Sequence, residues 1–413
     1  MSEAEGLEVG RPVASTARVE AMLLLVLASA QFTNIVDFMV VMPLGPQLMR
    51  VLEIGTARFG LIVSSYTICA GLAGLLGSSF LDRHGRKRSF LSLYAGFLVG
   101  TLCCGLAGTY HQLLAARMAT GAFGGILGGM ALAIIGDVFP EERRGRATGV
   151  LMSAFAVASV VGVPTGLYLG TRFGWNAPFL VLAALGTPIF GLAAWLLPSL
   201  RDHVGRSAPL SPLAQLGETL SRPDHLRAFA LTASIMLGGF SVIPYISVSL
   251  VANAGVPEDR LPLVFVTGGL LTLIGSPLIG RLADRHGKPP VYRVVAVFSI
   301  VCMLLVTNLG PVPLGVAVAL AGLFMLSNAG RMVAALALVT SSVDARRRGG
   351  FMSANSAVQH LAAGLGAYLG GKILARPLPN GPLYHYGKVG LLSLAATLLS
   401  LWLIGQIKGV RTL

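Results

Sequence analysis

Charge is scarce in this chain: 12% of its 413 residues are Asp, Glu, Lys or Arg, while 54% are hydrophobic. A soluble domain usually carries about 25% charged residues to cover its surface, so a water-soluble fold is excluded and most side chains must face lipid or other helices. Cysteine is equally sparse. Cys69, Cys103, Cys104 and Cys302 all lie in apolar runs without metal-ligand spacing, which leaves them as small packing residues rather than a disulfide or metal framework. Also lacking are a phosphate loop ending in Gly-Lys-Ser/Thr, a zinc motif, a haem ligand pair and a nucleophile with its base. No enzymatic activity, metal or cofactor is therefore expected, and any transport must draw on an ion gradient. The first twenty residues, with Glu3, Glu5, Glu8 and Glu20, lack the basic start and short apolar core of a signal peptide and read as a cytosolic tail.

What the chain has in abundance is apolar runs. Twelve are long enough, at roughly 20 residues, to cross a bilayer as helices. They fall at 21–49, 57–80, 89–109, 112–138, 147–171, 176–198, 226–252, 261–282, 291–309, 312–342, 349–373 and 387–408 and are numbered one to twelve below. A Ser/Pro/charge-rich linker, 199–225, divides a six-helix half at 21–198 from another at 226–408, with tails at 1–20 and 409–413.

The net charge of +14 does not mark a nucleic-acid binder, because the basic residues sit in short loops rather than on one face. Of the 31 Lys and Arg, 22 lie on the side shared by both termini and 7 on the other, while Arg117 and Arg331 fall inside spans. By the positive-inside rule both termini are cytoplasmic.

The two halves repeat each other. Asp82-Arg83-His84-Gly85-Arg86-Lys87-Arg88 has a near copy at Asp284-Arg285-His286-Gly287-Lys288. Met152-Ser153-Ala154 and Gly166-Leu167-Tyr168-Leu169-Gly170 of span five return as Met352-Ser353-Ala354 and Gly366-Ala367-Tyr368-Leu369-Gly370 of span eleven, at a constant offset of 200. Duplication of a six-helix unit is the economical explanation.

On these motifs the chain resembles a major facilitator superfamily transporter over essentially its whole length after residue 20. The loop signature of that family is met by Gly280, Asp284, Arg285, Gly287 and Lys288, and the first copy carries Ser78 at the glycine position. The fourth-span signature is matched by Arg117 and Gly121. The fifth-span antiporter signature is met in part by Gly162-Val163-Pro164-Thr165-Gly166, so Gly121, Gly162, Pro164 and Gly166 are expected at helix contacts. The resemblance implies an all-α membrane fold of twelve transmembrane helices in two pseudo-symmetric halves, acting by alternating access as a monomer in a bacterial inner membrane. Spans five and eleven look most like drug and sugar efflux members. The expected partners are a small amphipathic organic cargo, protons and the lipid bilayer, with a uniporter or lipid exporter and a non-transporting sensor as the alternatives.

The candidate working residues are few. Among seventeen acidic residues only Asp37 falls deep within a span, where a carboxylate must be paired or neutralised. It reads as a proton carrier or as half of a structural ion pair with Arg117, the partner implied by the family's adjacent spans one and four. Arg117, near the end of its span, is expected to reach a cavity or snorkel. Arg331 has no acidic residue in the spans of its own half, and is paired with carbonyls or water or contacts an anionic or carbonyl-bearing cargo. His360, with Gln359 and Asn355, is a second titrating group or a hydrogen-bonded helix contact. Gln31, Asn34, Tyr66, Phe240, Tyr245 and Asn328 are candidate cavity lining or ordinary packing. In the family the loop aspartate meets the start of span eleven. Asp82, Arg83, Gly85 and Arg86 are thereby expected to latch one face against Gly349-Gly350, with Asp284, Arg285 and Gly287 mirroring them against span five near Gly145.

Overall fold

The computed structural model describes residues 17–81, 85–198, 222–343, 348–375 and 381–407. These are helical almost throughout, as a chain in lipid must be, because hydrocarbon offers no partner to an open backbone N–H or carbonyl. Span one is α1 (Ala17–Val40) followed by a turn and the short α2 (Gly45–Val51). Spans two to four are α3 (Thr56–Leu81), α4 (Arg86–Leu106) and α5 (Tyr110–Val138). Span five joins α6 (Glu141–Val157) to α7 (Val163–Phe173) through a π segment at Ala158–Gly162, and span six is α8 (Ala177–Leu196). Span seven runs from α9 (Pro223–Val242) through a 3₁₀ turn, Ile243–Tyr245, into α10 (Ile246–Ala252). Spans eight to twelve are α11 (Leu261–His286), α12 (Lys288–Thr307), α13 (Leu314–Ser341), α14 (Arg348–Ile373) and α15 (Tyr386–Ile404).

Eleven helical stretches among the described residues are long and apolar enough to cross a membrane; α14, which carries Asn355, Gln359 and His360, is a further long helix beside them. Residues 199–221 of the 199–225 linker lie outside the described residues, as do Asp82 and Arg83.

Proline explains where the spans break. Span one, expected as a single run at 21–49, is interrupted at 41–44 because Pro43 and Pro46 cannot donate to a continuing helix. Pro244 sits in the 3₁₀ turn of span seven for the same reason. In span five the chain absorbs Pro164 differently, by widening to a π turn just before it.

Small residues let backbones meet. A methyl on Gly121 or Gly125 of α5 would drive into the backbone of Tyr66 or Ala70 on α3, and Gly366 of α14 lies as tightly against Leu237 and Ser241 of α9. Between halves, Gly269 of α11 rests on the π segment, where a Cβ would stand 2.8 Å from the Ser159 carbonyl oxygen.

Among the described residues the connections following spans two, four and eight, with Arg86, Arg143, Arg144 and Lys288, make a basic face; those following the odd-numbered spans make the opposite face. Toward the opposite face one apolar core draws on both halves, including Val40, Phe59, Val63, Tyr245, Val248 and Ala367. Toward the basic face each half keeps its own core, around Phe90, Phe97 and Ile134 in one and around Phe229, Tyr292 and Phe351 in the other.

The joined face is also pinned by polar contacts. Thr56 donates to the carbonyls of Gly371 and Leu374 at 3.1 Å each, and Tyr245 donates to that of Ala367 at 2.6 Å. Arg50 donates to both carboxylate oxygens of Glu258, at 2.5 and 3.0 Å.

Candidate functional site

Three helices of the first half bring a buried charge cluster together. Asp37 on α1 is 0% exposed and Arg117 on α5 is 1% exposed. Arg117 Nη1 donates to Asp37 Oδ2 at 2.7 Å and to the Asp37 carbonyl at 3.2 Å, while Thr101 on α4 donates to Asp37 Oδ1 at 3.0 Å. The carboxylate therefore has a partner on each oxygen, which is what a charge removed from water requires. Arg117 neither lines a cavity nor snorkels, correcting the expectation drawn from its position near a helix end. Its guanidinium turns inward, where attraction to Asp37 replaces the lost hydration.

The ring of Tyr66 covers this pair, with the Arg117 guanidinium 4.4 Å from its centroid. The Tyr66 hydroxyl donates to Asn34 Oδ1 at 2.8 Å, and Asn34 Nδ2 donates to the Gly124 carbonyl at 3.0 Å. Phe38 stacks on Tyr66 at 5.1 Å and on Phe240 of the other half at 5.9 Å. An aromatic column thus runs from the ion pair to the interface between halves.

In the second half Arg331 is as deeply buried, at 1% exposure, but meets only neutral oxygens: Thr397 Oγ1 and Asn328 Oδ1, both at 2.7 Å. Asn355 is 0% exposed with neither amide atom bonded. Gln31, Phe240, Asn328, Gln359 and His360 remain partly exposed. Tyr66, Asn34 and Tyr245 are almost wholly buried, so these three sit in helix contacts and present little surface to a cavity. Asp284 and Arg285 are exposed and the space around Gly145 is open, so the expected contact between them is not made here. Arg86 pairs with Asp137 of its own half at 3.0 Å.

A concavity of about 640 Å³ lies between α4 and α5, lined by Gly96, Val99, Cys103, Ala119 and Phe123. Exposed apolar side chains surround it, and none of the candidate residues lines it. It is a lipid-facing groove rather than a cargo chamber.

The Major Facilitator Superfamily model matches this chain twice, at residues 27–241 and 228–409. The chain belongs to that superfamily. The paired matches agree with the duplication read from the loops. MFS-type transporter YwfA of Bacillus subtilis is 25% identical over 92% of this chain and 90% of its own length. The putative transporter AraJ of Escherichia coli is 24% identical over 84% of this chain and 86% of its own. A probable sugar efflux transporter of Helicobacter pylori is 26% identical over 63% of this chain and 65% of its own. Against some of these relatives, then, the matched chain spans just under two thirds of the relative's length. In fold it is similar to a bacterial homologue of the human lysosomal transporter Spinster, solved inward-facing and unoccupied, with a TM-score of 0.72 at 15% identity over 95% of both chains. This MFS protein is an integral membrane protein built of apolar helices long enough to span a bilayer.

Sequence reasoning missed Thr101, Phe38 and Thr397. Thr101 carried a faint signal, a polar residue inside an apolar span. Nothing in the sequence joined Arg50 to Glu258.

Proposed function

We propose that this MFS protein is a proton-coupled exporter of small amphipathic organic compounds, with its basic face in the cytoplasm of a bacterial cell. The observation that carries the reading is the buried Asp37–Arg117 pair, the one acid–base couple fully enclosed among the described residues. Protonation of Asp37 would release Arg117 and unload the aromatic column that reaches Phe240, converting a proton into a change at the interface of the halves. The basic count at one face supports the orientation. On that orientation the parted cores lie inward, so this conformation awaits cargo from the cytoplasm. The efflux assignment borne by the Helicobacter relative favours the direction. Asp82 then latches the inner face in the other state.

A second reading, passive exchange or lipid export with no proton moving, draws on the completeness of the same pair, since both carboxylate oxygens are bonded. Reconstituted Asp37→Asn separates the two. Under proton coupling it keeps cargo binding and loses transport driven by a pH gradient; undiminished gradient-driven transport would overturn the proposal.

A further inference from the structure

We propose that Arg331 is the seat of an anionic group that the chain itself does not supply. The two buried arginines make the case by contrast. Each lies in the fourth helix of its half and each is 1% exposed. Arg117 is neutralised by a carboxylate at 2.7 Å. The Nε of each is without a partner, so the difference lies in charge: Arg331 is held by a hydroxyl and an amide oxygen, which orient the guanidinium without cancelling its charge.

No carboxylate of the second half is available to it among the described residues. Asp224 pairs with Arg227, Glu258 with Arg50 and Asp259 with Arg260, while Asp284 stands exposed at the end of α11. Arg331 begins about 25 Å along α13, far from either end of that helix. Nor can it escape by losing its proton, since a guanidinium stays charged in proteins where a buried lysine or histidine would neutralise. Water would satisfy Nε but would leave the charge.

The props are themselves fixed in the donating sense that suits this. Thr397 Oγ1 gives its proton to the Ser393 carbonyl at 2.8 Å, so its lone pairs face Arg331. Asn328 lies against Gly239 of α9, where a Cβ would meet its Oδ1 at 2.9 Å, and it remains partly exposed. A pre-oriented, uncancelled guanidinium beside a partly open amide is a receptor for a carboxylate, phosphate or halide. The anion is either the head of the cargo or a free ion. The first source rests on the transport reading; the site does not.

The test is a thermal-unfolding titration of the purified full-length protein in neutral detergent at fixed ionic strength. The probes are chloride, inorganic phosphate, hexanoate and hexyl phosphate, with hexanol and hexyltrimethylammonium as uncharged and cationic controls. The wild type should show a saturable rise in midpoint with anions only. Arg331→Met should abolish the response while unfolding no earlier than the anion-free wild type, and Arg331→Lys should retain part of it. A response to chloride or inorganic phosphate alone identifies a free ion; one confined to hexanoate or hexyl phosphate identifies a cargo head group. An unchanged response in Arg331→Met, or none in the wild type, overturns the proposal. Should Arg331→Met fail to fold, Thr397→Val must weaken the same response or the site is lost. The titration is read in detergent with no proton gradient, so failure of proton coupling in the transport assay leaves this outcome readable.

Discussion

Arg50 and Glu258, 208 residues apart, close a two-bonded ion pair across the face where the halves share one core. The side chains are 46% and 28% exposed, so the pair is worth about 1 kcal/mol at most. That suffices to bias a balance between two shapes. Glu258→Gln should shift the population toward the state parted at this face by up to about fivefold, read by spin-label distances between halves. Arg50→Glu combined with Glu258→Arg should restore it; a double variant no better than the single would show that the charge contact is idle.

The buried pair behaves differently because neither member can turn to water. Arg117→Met should destabilise the protein by about 3–5 kcal/mol by stranding Asp37, and adding Asp37→Asn should recover most of that loss. Thermal unfolding of the two singles and the double supplies the cycle. Additive losses would mean that the two residues do not act as a unit.

Tyr66 contributes through two separable groups. Tyr66→Phe keeps the ring over Arg117 and removes the bond to Asn34, costing about 1 kcal/mol. Tyr66→Leu also removes the ring and should cost about 2 kcal/mol more. Equal losses in the two variants would show that the ring adds nothing.

Two glycines of α5 make a matched comparison. A Cβ on Gly124 would lie 2.6 Å from both Asn34 Oδ1 and the Tyr66 hydroxyl, so Gly124→Ala should cost about 1–3 kcal/mol. Gly129 has nothing within 4 Å, and Gly129→Ala should be neutral or stabilise by about 0.5–1 kcal/mol. Melting midpoints that fall in the reverse order would contradict the packing described.

Much of this was legible before any coordinates. The apolar runs announce the helices because lipid permits little else, and the repeated loops announce the duplication. Asp37 and Arg117 stand out because charge inside a span is rare, so scarcity located them before geometry joined them. Arg50 and Glu258 were not legible, since surface charges occur in every loop and their meeting depends on how two halves dock. The pairing of Arg117 with Asp37 was among the expectations, whereas its reaching a cavity or snorkelling was not met, because linear position gives depth but not the side of the helix. Tyr245 reads as lining by residue type, yet its hydroxyl is spent on the Ala367 carbonyl, a contact set by tertiary packing.

The meeting of Gly269 with the Ser159 carbonyl is an axle in mechanical terms. Surfaces that touch backbone to backbone have no side chains to shear, so they roll. For points about 20 Å above and below such an axle, about 13 helical residues away, ten degrees of tilt opens one face by about 3.5 Å and closes the other equally. A side chain at 269 would press on the Ser159 carbonyl and wedge the halves apart at the axle itself, without touching either gate.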